Sequence, residues 1–442
     1  MMRVAIVGSG ISGLAAAHTL QSAAAVTLYE AGNYFGGHTH TVDVTLPTPQ
    51  GPVTHGVDTG FLVFNDRTYP ELIQLLSDLN VGTAKSDMSF SVQSQNAKTG
   101  QSMEWSGTNL NGLFAQRSNL ISWRFWRMLS DILRFNSLCT LVASQNTEGQ
   151  MRQTVGEFLK ENSFSDEFRE GYFLPMAACI WSCPTAQMLE FPMATMIRFC
   201  HNHGLLQISN RPQWWTVRGG AKHYVEKIAA SITDKRLNTP VRAIERMGQE
   251  LAGQSNRRVR ISTDHTQEYF DAVIIATHSD EALALLKAPT QLERTLLGAI
   301  KYHPNRAVLH TDASVLPTRK AAWAAWNYER AVADKSESDT PSVCLHYLIN
   351  RLQPLPWSQP VVVSLNPLRN IAEQYVLAEY AYSHPVFDTA AIKAQRQIPW
   401  LQGQQSTYFC GAWMGYGFHE DGLKAGQLAA TQLLNHHVQA AP

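Results

Sequence analysis

The chain opens on a short apolar run, Val4-Ala5-Ile6-Val7 behind Arg3, breaks into Gly8-Ser9-Gly10-Ile11-Ser12-Gly13, and resumes with apolar positions at helical spacing over 14–20. A second apolar run over 25–29 stops at Glu30. Short, uniformly apolar runs are typical of parallel strands buried on both faces, so the pattern predicts strand, tight turn, helix and strand. Further on, Pro70 stands ahead of Leu72, Leu75, Leu76 and Leu79, which predicts a helix with proline in its first turn and one face leaning on the same core. Stretches at 89–92 and 102–105 flank the polar segment 95–100 and read as a hairpin.

Between 119 and 136, Leu120, Trp123, Phe125, Trp126, Met128, Leu129, Ile132, Leu133 and Phe135 are interspersed with Arg124, Arg127 and Arg134. This predicts an amphipathic, cationic, tryptophan-rich helix whose apolar stripe is wide enough to face a core or to lie in a bilayer interface. An amphipathic helix is expected at 222–232 after Arg218-Gly219-Gly220, short strands at 237–244 and 258–262, and one buried parallel strand at 269–277. A Trp- and Pro-rich region with the polar loop 334–339 leads to a strand at 408–411, a glycine-aromatic turn at 413–422 and a helix at 423–434.

The first turn carries chemistry. In G-x-G-x-x-G between a strand and a helix, Gly8 permits the turn, Gly10 lets backbone approach a pyrophosphate, and Gly13 lets the helix pack on the strand. Glu30, about 20 residues on, is placed to accept hydrogen bonds from a ribose hydroxyl. Gly8, Gly10, Ile11, Ser12, Gly13, Glu30 and Ala31 are thus one side of an expected dinucleotide cradle. A second glycine doublet, Gly36-Gly37, followed by His38 and Thr39, lets backbone pass a bound phosphate again. Flavin enzymes, which hold FAD extended, often need that second passage; plain NAD domains do not usually need it. Thr277, at the end of the apolar run, belongs to the same groove. The N-terminus of the helix after 422 would set free N–H groups and the positive dipole end at the N1/C2=O region of a reduced flavin as a hydride arrives at N5.

Composition narrows the class. At 442 residues, two or three domains are expected, and 44% hydrophobic content excludes a disordered or fibrous chain. Lys+Arg equal Asp+Glu at 36 each, so no global field recruits nucleic acid. The first strand follows Met1-Met2 directly, leaving no room for a secretion signal, and no apolar run reaches the roughly 20 residues of a spanning helix; a cytoplasmic protein, with at most peripheral contact on the inner membrane face, is expected. The six cysteines form no framework, and Cys179 and Cys183, spaced i,i+4, lack a second pair at zinc spacing; buried thiols and no metal are expected. Nucleotide-domain features come and go, so the expected fold is α/β: a Rossmann-like FAD-binding domain from 1–75, 213–286 and 396–442, interleaved with a mixed α+β substrate domain from 76–212 and 287–395.

With these segments assembled, the chain resembles the FAD-dependent amine oxidase and phytoene desaturase superfamily nearly end to end. The strings Val57-Asp58-Thr59-Gly60-Phe61-Leu62-Val63-Phe64-Asn65, Glu104-Trp105-Ser106-Gly107-Thr108-Asn109-Leu110 and Gly415-Tyr416-Gly417-Phe418-His419-Glu420-Asp421-Gly422 look like a bacterial group of flavoproteins similar to the N-terminal domain of plant cyclopropane fatty acid synthases and to desaturases of methyl-branched acyl chains. The resemblance implies that Gly60, Phe61, Leu62 and Val63 pass beside the ribityl and flavin, that Val241 offers backbone to the adenine, and that Gly411 and Ala412 sit at the pyrophosphate end. Gly417, Phe418 and His419 would border the isoalloxazine ring. Amine oxidases of the superfamily commonly present two aromatics before the flavin and a lysine holding a water at N5. Here Phe418 supplies one aromatic, and neither the second nor the lysine is identified, which counts against an amine substrate.

The leading expectation is dehydrogenation of a lipid acyl chain, with FAD taking a hydride while a base removes the adjacent proton. His419 is the first candidate for the proton or for polarising the flavin, with Tyr416 and His384 behind it. The apolar segments 172–181 and 188–193, with Trp323, Trp326 and Tyr328, would form a greasy tunnel. Rival readings are a redox-neutral fatty acid double-bond isomerase, a flavin-bearing accessory module of a lipid methyltransferase, and an amine oxidase.

Overall fold

The computed structural model describes residues 1–95, 102–147, 151–181, 185–207, 210–247, 258–330 and 344–439. The polar turn at 96–100, Cys183 and the 334–339 loop lie outside these residues.

The apolar runs pair as a five-stranded parallel sheet in the order Asp234–Arg236, Ala24–Tyr29, Met2–Val7, Ala272–Ile275, Thr407–Phe409. Val4, Ala5 and Ile6 have no exposed surface, as expected of a central strand covered on both faces. On one face, helix Ile11–Leu20 lies against helix His419–Gln439 so closely that a Cβ on Gly426 would sit 2.0 Å from the Ser12 carbonyl oxygen. Helix Pro70–Asp78 joins the same core, with Pro70 at its first position and Leu72, Leu75 and Leu76 buried. Its N-terminus is capped from far away: the Glu420 carboxylate accepts from the Glu71 and Leu72 N–H groups at 3.0 Å each.

A mixed seven-stranded sheet forms the second body, in the order Val376–Val386, Lys301–His310, Val362–Leu365, Cys344–Leu348, Trp326–Arg330, Phe90–Gln95, Ser102–Ser106. The expected hairpin supplies its last two strands. Helices cover it, and their shared core holds Phe125, Phe135, Phe168, Phe173, Trp181 and Phe199. The fold is thus α/β, a parallel sheet with helices beside a separate mixed-sheet body.

Four boundaries differ from the sequence reading. The run 269–277 is two strands: Gln267–Phe270 closes a three-stranded antiparallel sheet, and the chain turns at Asp271, whose N–H donates to the Arg3 carbonyl and whose carboxylate accepts from Arg3 N, before entering the parallel sheet. The strand expected at 237–244 starts at Val241, because the turn over Asn238 (φ +49°) and Pro240 separates it from Asp234–Arg236. The helix expected at 119–136 runs instead over Trp123–Ser144, after a short 3-10 turn and a Ser122 cap. The C-terminal helix begins at His419, not 423, because Asp421 accepts from the Tyr416 and Phe418 N–H groups and ends the turn early.

Gly426→Ala gains about 1 kcal/mol of helix propensity, whereas forcing a methyl into a close-packed contact costs about 1–3 kcal/mol. With backbone as the obstacle, the variant should unfold at lower denaturant; an unchanged or higher midpoint would show that the two helices move apart freely.

Candidate active site

A cavity of about 800 Å³ runs from Glu30 and Val241 past the first glycine turn to Phe418 and Trp326. Its walls come from stretches far apart in sequence: Gly8, Gly10, Ile11, Ser12, Glu30, Ala31, Gly36, Gly37, His38, Thr39 and Gly60 to Val63 from the first, Val241 and Thr277 from the middle, and Gly411, Ala412, Gly417, Phe418 and His419 from the last. Gly13 stands behind the wall, its missing Cβ only 1.9 Å from the Gly8 carbonyl, which is the packing role its spacing predicts.

At one end, Glu30 is pre-oriented. Its carboxylate accepts from the Ser9 and Gly32 N–H groups at 3.0 and 2.8 Å and from the Ser9 hydroxyl, and the Thr239 N–H holds its carbonyl. Beside it the N-terminus of helix Ile11–Leu20 has no side-chain cap, so its N–H groups are free for an anion. A Cβ on Gly10 would meet no protein atom within 4 Å, so the space there is kept for something else. His38 Nε2 is buried with no partner among the described residues, and burial, with His384, His278 and His419 nearby, pushes its pKa down to about 3. An uncapped helix end, an open glycine and an orphaned neutral imidazole fit an extended diphosphate-bearing ligand.

At the other end the His419 ring stacks on Phe61 at 3.8 Å, and its Nε2 meets the Tyr224 hydroxyl at 2.6 Å, which in turn meets the Thr39 hydroxyl at 2.8 Å. Burial holds it neutral, with a pKa of about 3. His419 is therefore one end of a hydrogen-bonded chain running back into the cradle. Tyr416 is not a wall of this cavity, contrary to its sequence placement beside Gly417; it lines a neighbouring pocket with Arg67, Asn202 and Lys424. His384 does line the cavity, and its Nδ1 is 2.8 Å from Asn305 Nδ2.

The remaining wall is apolar and aromatic: Met88, Cys179, Ile180, Phe199, Leu205, Trp214, Trp326 and Tyr347. Of the tunnel residues expected from sequence, Cys179, Ile180 and Trp326 are present; Tyr172, Met188, Phe191, Met193 and Tyr328 pack in the core instead, and Trp323 donates to the Pro317 carbonyl. Phe418 stacks on Phe199 at 5.0 Å, and Phe199 on His203 at 4.0 Å. His203 went unmarked in the sequence. Its Nδ1 donates to the Phe199 carbonyl at 3.0 Å, which leaves Nε2 as an acceptor, and burial lowers its pKa to about 4. No lysine is among the lining residues.

The sequence matches the family described as flavin containing amine oxidoreductase over residues 11–348. The chain belongs to that family. FAD is its cofactor, and it is a FAD-dependent oxidoreductase. A search of the curated proteins returned no match. Among solved structures, this flavoprotein is similar to the CLA-producing fatty acid isomerase from P. acnes (15% identity, 98% of each chain, TM-score 0.64). It is also similar to a putative protoporphyrinogen oxidase from Exiguobacterium sp. 255-15 (17%, 99% of each chain, TM-score 0.65) and to cyclohexylamine oxidase from Brevibacterium oxydans IH-35A (17%, 99% of each chain, TM-score 0.64). These likenesses carry the fold.

FAD fits the cavity as the residues dispose it. Glu30 would hold the adenosine ribose, the free N–H groups around Gly10 and Ile11 the pyrophosphate, and Phe61, Phe418 and His384 would border the ring. Gly10→Ala tests the cradle: its methyl clashes with no protein atom. The variant should fold with an unchanged denaturation midpoint yet bind FAD at least tenfold more weakly by fluorescence titration. Equal affinity would show that nothing approaches Gly10.

Proposed function

We propose that the flavoprotein dehydrogenates a lipid acyl chain. The observation carrying this reading is the chamber beyond Phe418, whose walls are aliphatic and aromatic and whose His203 and His384 imidazoles are held neutral by burial. Such a chamber stabilises methylene groups at about 0.8 kcal/mol per buried CH₂ and offers a substrate ammonium neither lysine-held water nor carboxylate. Bound FAD supplies the acceptor for a hydride leaving one carbon. His203 Nε2, a neutral lone pair, takes the proton from the neighbouring carbon as the double bond forms. The Phe418–Phe199–His203 stack keeps that imidazole against the chain and excludes water. An external acceptor, oxygen or a quinone, then takes the two electrons. The likeness to a fatty acid isomerase supports a second reading, in which hydride and proton return to the chain and the double bond migrates.

Acyl chains of this kind reside in membranes, and one surface suits contact with them. Leu110, Ile121 and Trp123 are 75%, 90% and 63% exposed, with Leu120 and Trp126 beside them. Trp126 Nε1 donates to the Leu120 carbonyl, Arg117 to the Phe114 carbonyl, and Arg124 lies over Trp123, so these residues form one patch. From Trp105 to Ser130 the chain carries three arginines and no carboxylate; Glu167, from another element, approaches Arg124 and Arg127. The opposite helix face, Phe125, Met128 and Phe135, is core, which leaves the exposed face for the membrane contact proposed here. No described helix is long and apolar enough to cross a membrane. We infer peripheral docking on anionic lipid.

Mixed anaerobically with membranes containing methyl-branched or cyclopropane lipids, the yellow protein should bleach. Constant absorbance with migrating double bonds would establish isomerisation. No change in either would point to an accessory role beside a lipid methyltransferase, and hydrogen peroxide from a polyamine panel would restore the amine reading. Trp123→Ser with Trp126→Ser should cut binding to phosphatidylglycerol vesicles about tenfold at an unchanged melting temperature; unaltered sedimentation would remove the membrane surface.

A further inference from the structure

Antiparallel strands Lys301–His310 and Val376–Val386 set His303 opposite His384 and Asn305 opposite Tyr382. Alongside, Asn366 follows strand Val362–Leu365 in left-handed backbone, φ +47°, which asparagine adopts more readily than most residues. There it grips Arg306 twice: its N–H donates to the Arg306 carbonyl at 2.8 Å, and its Oδ1 accepts from the Arg306 N–H at 2.9 Å. A backbone N–H only donates, so the orientation of the Asn366 amide is fixed, and its NH₂ donates to Asn305 Oδ1 at 2.7 Å. Asn305, 3% exposed, is fixed in turn, and its Nδ2 donates to the His303 carbonyl at 3.1 Å and to His384 Nδ1 at 2.8 Å. Reversing either amide would oppose donor to donor and acceptor to acceptor.

We propose that Asn305 is a positioning residue that holds His384 as its neutral Nε2–H tautomer, so that this ring presents a hydrogen-bond donor, and no base, to the cavity. His384 Nε2 has no protein partner among the described residues, and its titratable neighbours are His38 at 5.5 Å, His278 and His303. The atom it addresses is an acceptor, either a carbonyl or nitrogen of the flavin edge or an oxygen of the acyl headgroup. His203 and His384 then carry opposite duties on one cavity, the first accepting and the second donating. The assignment rests on reading the cavity as the flavin site, but its test does not.

Two-bond ¹H–¹⁵N spectra of protein labelled at histidine, with His384→Gln identifying the signal, should show a protonated Nε2 and a bare Nδ1 unchanged from pH 8 to pH 6. A protonated Nδ1, or an imidazolium in that range, overturns the proposal. Asn305→Asp should reverse the tautomer, because a carboxylate only accepts; if that variant does not fold, Asn366→Leu, which frees the Asn305 amide to turn, should give a mixture. Either variant retaining the wild-type tautomer also overturns it. In the FAD-loaded protein, Asn305→Asp should shift the flavin absorbance maximum if the N–H meets the ring, or raise KM several-fold at an unchanged spectrum if it meets the headgroup. The absence of both changes overturns the positioning role. Colourless protein would end the flavin reading while leaving the tautomer measurable.

Discussion

Backbone-to-backbone contact without intervening side chains is the constraint on which the rest of this protein depends. A dinucleotide groove this long needs three distant stretches of chain to approach within van der Waals distance of one another, and a β-carbon is too large at the crossing points. Gly13 against the Gly8 carbonyl, Gly60 against the His38 carbonyl and Gly426 against the Ser12 carbonyl leave 1.9, 2.2 and 2.0 Å where a methyl would go. The parallel sheet, the uncapped helix end and the Glu30 carboxylate all take their places from those contacts. Gly10 is the informative exception, since the room beside it belongs to no protein atom.

Burial does for the electrostatics what glycine does for the shape. His38, His203, His384 and His419 are each driven toward the uncharged form chiefly by loss of water, so these four rings bring polar atoms to the groove without bringing charge. A neutral imidazole can still be directional, because whichever nitrogen is engaged by the protein decides what the other offers. The Phe199 carbonyl engages His203, an asparagine amide engages His384, and a tyrosine hydroxyl engages His419. Polarity is thus specified by hydrogen bonds several residues away from the chemistry.

Features written into consecutive residues were legible in the sequence. The turn Gly8 to Gly13, Glu30 and the Gly36-Gly37 doublet act through local backbone, and all of them but the buried Gly13 line the groove. Features assembled across strands were not. Asn305 and Asn366 have no local signature, because their partners come from a facing strand and a neighbouring strand, and His203, though bonded locally to the Phe199 carbonyl, meets the cavity only through the tertiary fold. Tyr416 shows the reverse failure: adjacency to Gly417 does not decide which side of a turn a ring takes. Two boundary errors have readable causes. Asp271 is the one charge in an apolar run and marks where the chain changes sheets, while Glu420 and Asp421, read as part of a turn, are the acidic first turn that a helix N-terminus favours.

The cap that Glu420 places on helix Pro70–Asp78 ties an early element to a late one. Helix His419–Gln439 and the edge strand Thr407–Phe409 leave the ribosome after every other part of the groove has been made. Until they arrive, residues 11–20 lack their closest-packed helical neighbour and the wall at Gly411 to His419 does not exist. The groove is therefore complete only once the late helix has docked on two early ones, Ile11–Leu20 and Pro70–Asp78, so its closure waits on contacts between the two ends of the described chain.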